Sequence, residues 1–204
     1  MGLLKGNPTV TRYRILDPLT NDFTEEFIGE RLRKYAFQNI EGTTDENAVG
    51  WVELFAYLST AFEKESYSFG NTYAFTMRMD SRRLSTKVLN RYYDLTEARY
   101  FNKHGRQPNA KKKKELKETL RLELLKKILL TTDLYEAVWF SRTSEIWFFG
   151  SGEKLRIAFE ELFGQTFGLA IRLIVPITMG LELVDDNDRL SLLDLVPGPL
   201  GIGG

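Results

Sequence analysis

The chain has 204 residues, of which 43% are hydrophobic, and its 28 Lys and Arg balance 28 Asp and Glu; this apolar content supports a folded protein with a substantial core. The absence of cysteine excludes disulfides, thiolate nucleophiles and cysteine zinc sites, and the single His104 leaves a Ser-His-Asp triad poorly supported. The sequence contains no run of about 18 apolar residues, so it predicts no membrane span, and we expect a cytoplasmic protein.

The first half of the chain predicts strands and helices in alternation. Residues 10–16 alternate as a strand does, and residues 23–35 are predicted to form a helix that opens on a capping box of Asp22 and Glu25. A short strand at 49–52 follows. Residues 73–79 place aromatic and methionine side chains on one face of a further strand.

A helix is predicted over residues 85–95, followed by a loop at 103–108 and a lysine-rich helix over 108–130. The lysine-rich helix carries two apolar stripes, one of Leu116, Leu120, Leu124 and Ile128 and one of Leu122, Leu125 and Leu129. Two stripes need cover on two sides. We therefore expect one side to meet the sheet and the other to meet a second layer or a second subunit.

The second half predicts an aromatic hairpin, a helix and a strand. The hairpin strands are 135–141 and 146–149, the helix runs over 152–163 with Ser151 as its cap, and the last strand covers 168–175. Trp139, Trp147 and their aromatic neighbours are interpreted as core rather than as base-stacking groups. The acidic run at 185–188 lacks the spacing of a calcium loop, so we predict neither a metal site nor a cofactor.

Locally paired strands followed by helices favour an α+β fold rather than a doubly wound parallel sheet. We expect two βα sub-units with antiparallel sheets, linked through the long basic helix. The corresponding divisions are an N-terminal unit at 1–107, a unit at 108–179 that contains the basic helix, and an acidic, Gly- and Pro-rich tail at 180–204.

The charge is concentrated in residues 82–127, which hold fifteen Lys or Arg against five Asp or Glu. Lysine and arginine neutralise phosphates and release condensed counterions, so this density favours binding to nucleic acid without sequence preference. The alternative is a solvated helix face that serves solubility. The candidate phosphate contacts are Lys111, Lys112, Lys113, Lys114, Lys117, Arg121, Lys126 and Lys127, with Arg82, Arg83, Lys87 and Arg91 as a second patch.

The order and spacing of several segments carry a family resemblance. These are the helix end at 30–37, the turn at 48–52, the strand that ends near Arg78, the lysine-rich helix at 113–118 with its paired leucines, and the final strand with Val175, Pro176 and Ile177. From near the N-terminus to about Met179 the chain resembles the bacterial recombination-associated RdgC proteins. The resemblance implies a non-catalytic protein that forms a ring-shaped dimer with a positive interior, binds duplex DNA with little sequence preference and restrains RecA-driven recombination.

Transferred to this chain, the resemblance makes Lys113, Lys114 and Lys117 candidate phosphate contacts. It places subunit contact at the end of the basic helix, which assigns Leu125, Ile128, Leu129 and Leu130 to a dimer interface. Longer relatives continue well beyond the length of this chain, with a region that helps to close the ring. They also have a Pro-Arg pair where this chain has Lys126 and Lys127, so the interface here is expected to differ.

The resulting hypothesis is a nucleoid-associated, homodimeric DNA-binding protein that antagonises RecA by occupying duplex DNA, without catalysis and without a cofactor. A metal-dependent exonuclease is the first alternative, because the family has also been labelled an exonuclease. The second alternative is a protein-interaction module whose basic surface meets an acidic partner or the protein's own tail.

Overall fold

The computed structural model describes residues 9–19, 23–183 and 185. Its strands are β1 (Thr11–Ile15), β2 (Asn47–Val52), β3 (Ser68–Phe69), β4 (Thr72–Ser81), β5 (Thr131–Phe140), β6 (Glu145–Phe148) and β7 (Ile171–Leu173). Its helices are α1 (Glu25–Lys34), α2 (Lys64–Tyr67), α3 (Thr86–His104), α4 (Ala110–Leu125), α5 (Glu153–Phe167) and α6 (Pro176–Leu183).

The seven strands form one sheet in the order β2-β4-β5-β6-β1-β7, with β3 paired to β4. Every pair is antiparallel, and β4 and β5 are in register from Thr72 opposite Phe140 to Ser81 opposite Thr131. The predicted α+β class with antiparallel pairing is confirmed. Strands from both sides of residue 107 join this single sheet, where two sheets were expected; the division of the chain at 107 and 179 stays a prediction.

The larger of two buried hydrophobic clusters in the described residues lies on one face of the sheet, beneath α1 and α5. Phe75 and Met77 of β4 point to this face together with Trp139 of β5, and Ile28 of α1 and Phe159 of α5 cover them. All five are fully buried or nearly so. This arrangement follows the alternation that predicted the strands, because successive side chains of a strand point to opposite faces.

Several predicted element boundaries change in the structure. Helix α1 begins after Thr24, whose hydroxyl accepts a 3.2 Å hydrogen bond from the Phe27 N–H, while Asp22 of the predicted capping box lies outside the described residues. Helix α5 starts after Gly152, with no side-chain cap, so the predicted Ser151 cap is wrong. Helix α3 continues to His104 and ends at Gly105, whose φ of 65° is left-handed, and it therefore takes in the first residues of the predicted loop.

Helices α3 and α4 form an antiparallel hairpin inserted between β4 and β5, which we call the helical arm (residues 86–125). The Asn109 side chain accepts a 2.9 Å hydrogen bond from the Lys112 N–H and so caps α4. At 1.5 Å per residue the arm is about 28 Å long on its α3 side. None of the α3 residues is buried, and in α4 only Leu125 is buried.

The prediction that one apolar stripe of the basic helix meets the sheet is wrong, whereas cover of the other stripe by a second subunit stays a prediction. Helix α4 packs along α3, and Leu116, Leu120 and Leu124 of the first stripe are half-buried. In the second stripe Leu122 is 39% exposed, and Leu129 lies beyond the helix end and is 89% exposed. The neighbouring α3 supplies cover for one stripe only, because a two-helix hairpin has a single contact face.

Candidate nucleic-acid interface

The helical arm presents most of the predicted cationic side chains at the surface. It carries eleven Lys or Arg against five Asp or Glu. Lys87 and Arg91 on α3 and Lys111 and Lys114 on α4 are exposed, with no acidic partner among the described residues. The arm is thus a slender positive element that water reaches from several sides.

Two neighbouring lysines among the predicted cations on α4 are engaged in ion pairs. Lys112 pairs with Glu115 at 3.1 Å on the same helix, and Lys113 reaches across to Glu97 of α3 at 2.7 Å. The hydrogen bond to Glu97 raises the pKa of the Lys113 ammonium group. Exposed pairs of this kind contribute little to stability, so a phosphate can displace the carboxylate.

Arg121 and Lys117 also have partners. Arg121 contacts Glu46, next to the sheet, and lies 3.9 Å from Glu118 on its own helix. Lys117 holds its ammonium group 6.0 Å from the ring centroid of Tyr93, on α3. Both side chains therefore help to fix the arm, and both remain partly accessible to solvent.

Arg82 is not a surface cation. It is 3% exposed, and its guanidinium donates to the carbonyl oxygens of Leu125 at 2.8 Å, Thr43 at 3.3 Å and Ile40. A guanidinium held in this way cannot reach a phosphate outside the protein, so Arg82 leaves the candidate set. Its neighbour Arg83 is exposed and stays in it.

At the base of the arm lies a cleft of about 590 Å³, which we call the basal cleft. Lys126 and Lys127 line it and are exposed, and Leu58 and Leu129 form an apolar part of its wall. Arg78 and Asp80 form a 2.7 Å ion pair in the cleft, and the Arg78 guanidinium lies 4.2 Å from the ring centroid of Phe37. The cleft thus combines free cations with apolar side chains.

The predicted dimer interface divides into accessible and inaccessible residues. Leu125 is 1% exposed and carries the carbonyl that accepts from Arg82, so its side chain cannot contact a second subunit. Leu129 is 89% exposed, and Ile128 and Leu130 are half-buried. These three remain the candidates for subunit contact.

The sheet face opposite the larger core cluster carries Trp147, which the sequence interpretation assigned to the interior. Trp147 is 38% exposed and packs on Phe140 at a ring separation of 5.2 Å, whereas Trp139 is 1% exposed as predicted. Arg12 lies 5.9 Å from the Trp147 ring centroid and pairs with Glu145. Because Trp147 lies between Ile146 and Phe148, which are buried, the alternation of a strand could have predicted that Trp147 points away from them, to the opposite face.

Among the described residues, no three His, Cys, Asp or Glu side chains lie close enough to hold a metal ion. Of the acidic run at 185–188, only Asp185 belongs to the described part of the chain. No described helix combines the length and the apolar character needed to cross a membrane.

The fold and the site together define an α+β protein with one antiparallel sheet and a basic helical arm between two of its adjacent strands. The family model described as "Putative exonuclease, RdgC" matches residues 9–147, about two thirds of the chain, including the whole arm. The chain therefore belongs to the RdgC family, as the sequence resemblance predicted. Comparison with curated proteins gives no match.

Proposed function

We propose that this protein binds duplex DNA without sequence preference through its helical arm, and that it does so as a non-catalytic homodimer. The observation that carries the proposal is the concentration of cations on an exposed two-helix arm. Lysine and arginine on such a surface contact phosphates, which are the same in every sequence.

The dimensions of the arm suit this role. A helix about 28 Å long runs beside about 16 phosphates of a duplex, which carries one charge per ~1.7 Å of its axis. The exposed cations of the arm lie on both helices, from Lys87 near the base to Lys111 near the turn. A duplex laid along the arm meets positive charge over its whole length.

Membership of the RdgC family supports a role in recombination. A protein that occupies duplex DNA without reading its sequence hinders RecA-type strand exchange, because the two proteins compete for the same backbone. We propose this competition, on nucleoid DNA, as the biological activity.

A salt series tests the DNA-binding proposal. Binding to two fluorescent duplexes of unrelated sequence, and to one single strand, is measured between low and moderate salt. Each lost phosphate contact lowers the slope of log K against log salt by about 0.9, so the double variant Lys111→Ala/Lys114→Ala is expected to lower it by about 1.8.

The matched control is Lys34→Ala/Lys154→Ala, which removes two exposed lysines from α1 and α5. We expect its slope to equal that of the parent protein, and the two duplexes to bind alike. An absence of binding at low salt, or equal effects of the two double variants, would overturn the proposal.

The description of the family model favours an exonuclease as the second candidate. Incubation of end-labelled duplex with excess protein and Mg²⁺ or Mn²⁺ decides between the two. Mononucleotides or shortened strands would establish the nuclease. Intact label at full occupancy of the DNA would leave binding as the activity.

A further inference from the structure

The basal cleft has two chemically distinct parts in a row. Lys126 and Lys127 supply positive charge, and they are followed directly in the chain by Ile128, Leu129 and Leu130. All five line the cleft. Leu129 at 89% exposure and Leu58 at 74% are among the most exposed large apolar side chains in the described part of the chain.

The chain itself contains a segment of complementary chemistry at residues 185–196, with the sequence DDNDRLSLLDLV. It begins with Asp185, Asp186 and Asp188 and continues with four leucines and a valine. Its four acidic groups and one arginine give it a charge of −3. The order of an acidic part followed by an apolar part mirrors the order of the cleft residues.

The strand register shows in which direction the chain leaves the sheet before this segment. Leu173 of β7 lies opposite Tyr13, β1 is paired with β6 through Thr11 and Phe148, and Phe148 lies opposite Ala137 of β5. These pairs show that the chain leaves β7 toward the end of the sheet at which β5 begins. That end carries Thr132, which lines the cleft.

The distances fit this route. Leu173 lies level with Trp139 of β5, three strand spacings or about 14 Å away, and Thr132 lies seven residues or about 24 Å farther along β5, so Leu173 and Thr132 are about 28 Å apart. The twelve residues from Leu183, where α6 ends, to Leu195 extend up to about 40 Å. Even if α6, which is about 12 Å long, runs away from the cleft, this length covers the separation, so the leucines at the end of the segment can reach the cleft of the same molecule.

We infer that residues 185–196 dock in the basal cleft of their own chain, with the aspartates against Lys126 and Lys127 and the leucines against Leu58 and Leu129. The docked segment covers apolar side chains that are otherwise exposed to water. It also neutralises Lys126 and Lys127, two phosphate contacts predicted from the sequence that adjoin the arm to which the proposed function assigns DNA, so DNA and the segment compete. The docking itself does not depend on the proposed function.

Because the protein has no cysteine, a disulfide reports the docking directly. In the variant Thr132→Cys/Ser191→Cys one thiol is placed in the cleft and the other in the segment. The reference pair is Lys103→Cys/Ser191→Cys, with the first thiol at the far end of the arm. Docking raises the effective concentration of the two thiols, so we expect the cleft pair to oxidise within one chain at least about tenfold faster.

Replacing Asp185, Asp186 and Asp188 with Asn is expected to slow disulfide formation in the cleft pair toward the rate of the reference pair. High salt is expected to do the same. Equal rates for the two pairs, or a rate insensitive to these replacements, would overturn the inference. A disulfide between two chains, seen as a dimer on a non-reducing gel, would overturn docking within one molecule.

DNA affinity separates this inference from the proposed function. If the segment is docked about nine tenths of the time, the cysteine-free Asp→Asn variant should bind duplex about tenfold more tightly than the parent. Cross-linking without DNA binding would sustain the docking and reject the proposed function. DNA binding without preferential cross-linking would do the reverse.

Discussion

Arg82 donates a 2.8 Å hydrogen bond to the carbonyl oxygen of Leu125, and so the residue that follows β4 holds the residue that ends α4. The same guanidinium donates to the carbonyls of Ile40 and Thr43, and the Arg82 N–H donates to Glu46. The base of the arm is thereby tied to the loop between α1 and β2. The buried Arg82 therefore helps, together with Arg121, to fix the direction in which the arm leaves the sheet.

Replacing Arg82 with Met is expected to lower the free energy of unfolding by about 3 kcal/mol, because three buried carbonyls lose a charged donor. Urea unfolding followed by tryptophan fluorescence measures the change. Arg83→Met, at the exposed neighbouring position, should stay within about 0.5 kcal/mol of the parent protein. Similar losses in both variants would contradict a structural role specific to Arg82.

Stability should also fall in acid through Glu145. Burial acts to raise the pKa of Glu145, but the hydrogen bond and charge of Arg12, with a further contribution from Arg14, outweigh it and leave the pKa below its usual value. A lowered folded-state pKa contributes stability that is present above the unfolded pKa and is lost as the pH falls through the folded pKa.

We expect Glu145→Gln to lose less stability than the parent protein as the pH is lowered below 5. Urea unfolding midpoints, measured at a series of pH values, give this loss. Glu65→Gln changes an exposed glutamate without a partner in the described part of the chain and should follow the parent curve. If Glu145→Gln loses as much stability in acid as the parent protein does, the contacts of Glu145 with Arg12 and Arg14 do not account for the acid dependence.

The pair of Lys113 with Glu97 predicts a gain in DNA binding. In Glu97→Gln the lysine loses its carboxylate partner and becomes available to a phosphate. Because an exposed ion pair competes only weakly with a phosphate, the affinity for duplex at low salt should rise about twofold to threefold. Fluorescence anisotropy measures it, and Glu65→Gln removes the same charge away from the arm. An equal rise in both variants would point to net charge alone.

Self-association is expected to depend on Leu129, the most exposed of the three remaining interface candidates. Leu129→Glu should shift the mass measured by light scattering from dimer to monomer, because a carboxylate would be buried without a partner at the interface. Leu183→Glu changes an equally exposed leucine, at 86%, at the end of α6. A dimer that persists in Leu129→Glu would place the interface elsewhere.

The local pattern predicted most elements because each depends on nearby residues. The alternation over residues 73–79 located β4, the aromatic runs around the turn at 142–145 located the β5–β6 hairpin, and the periodicity after Gly152 located α5. The concentration of cations on one exposed segment was also visible in the sequence. Hydrophobic periodicity and composition are properties of short segments, and they do not depend on which distant segments pack together.

Other features depended on contacts between distant residues. Pairing of β1 with β6 across more than 130 residues merges the strands into one sheet, and no local pattern specifies that partner. The burial of Arg82 follows from the loop at Ile40 and Thr43 meeting the end of α4.

The sequence by itself determined that this is an α+β protein of the RdgC family with a strongly basic helical segment. Only the tertiary structure decided that this segment is half of an arm whose lysines are partly paired, that Arg82 and Leu125 are internal, and that Trp147 faces solvent. The reason is physical. A side chain's charge and polarity are set by its identity, whereas its exposure and its partners are set by which distant segments pack against it.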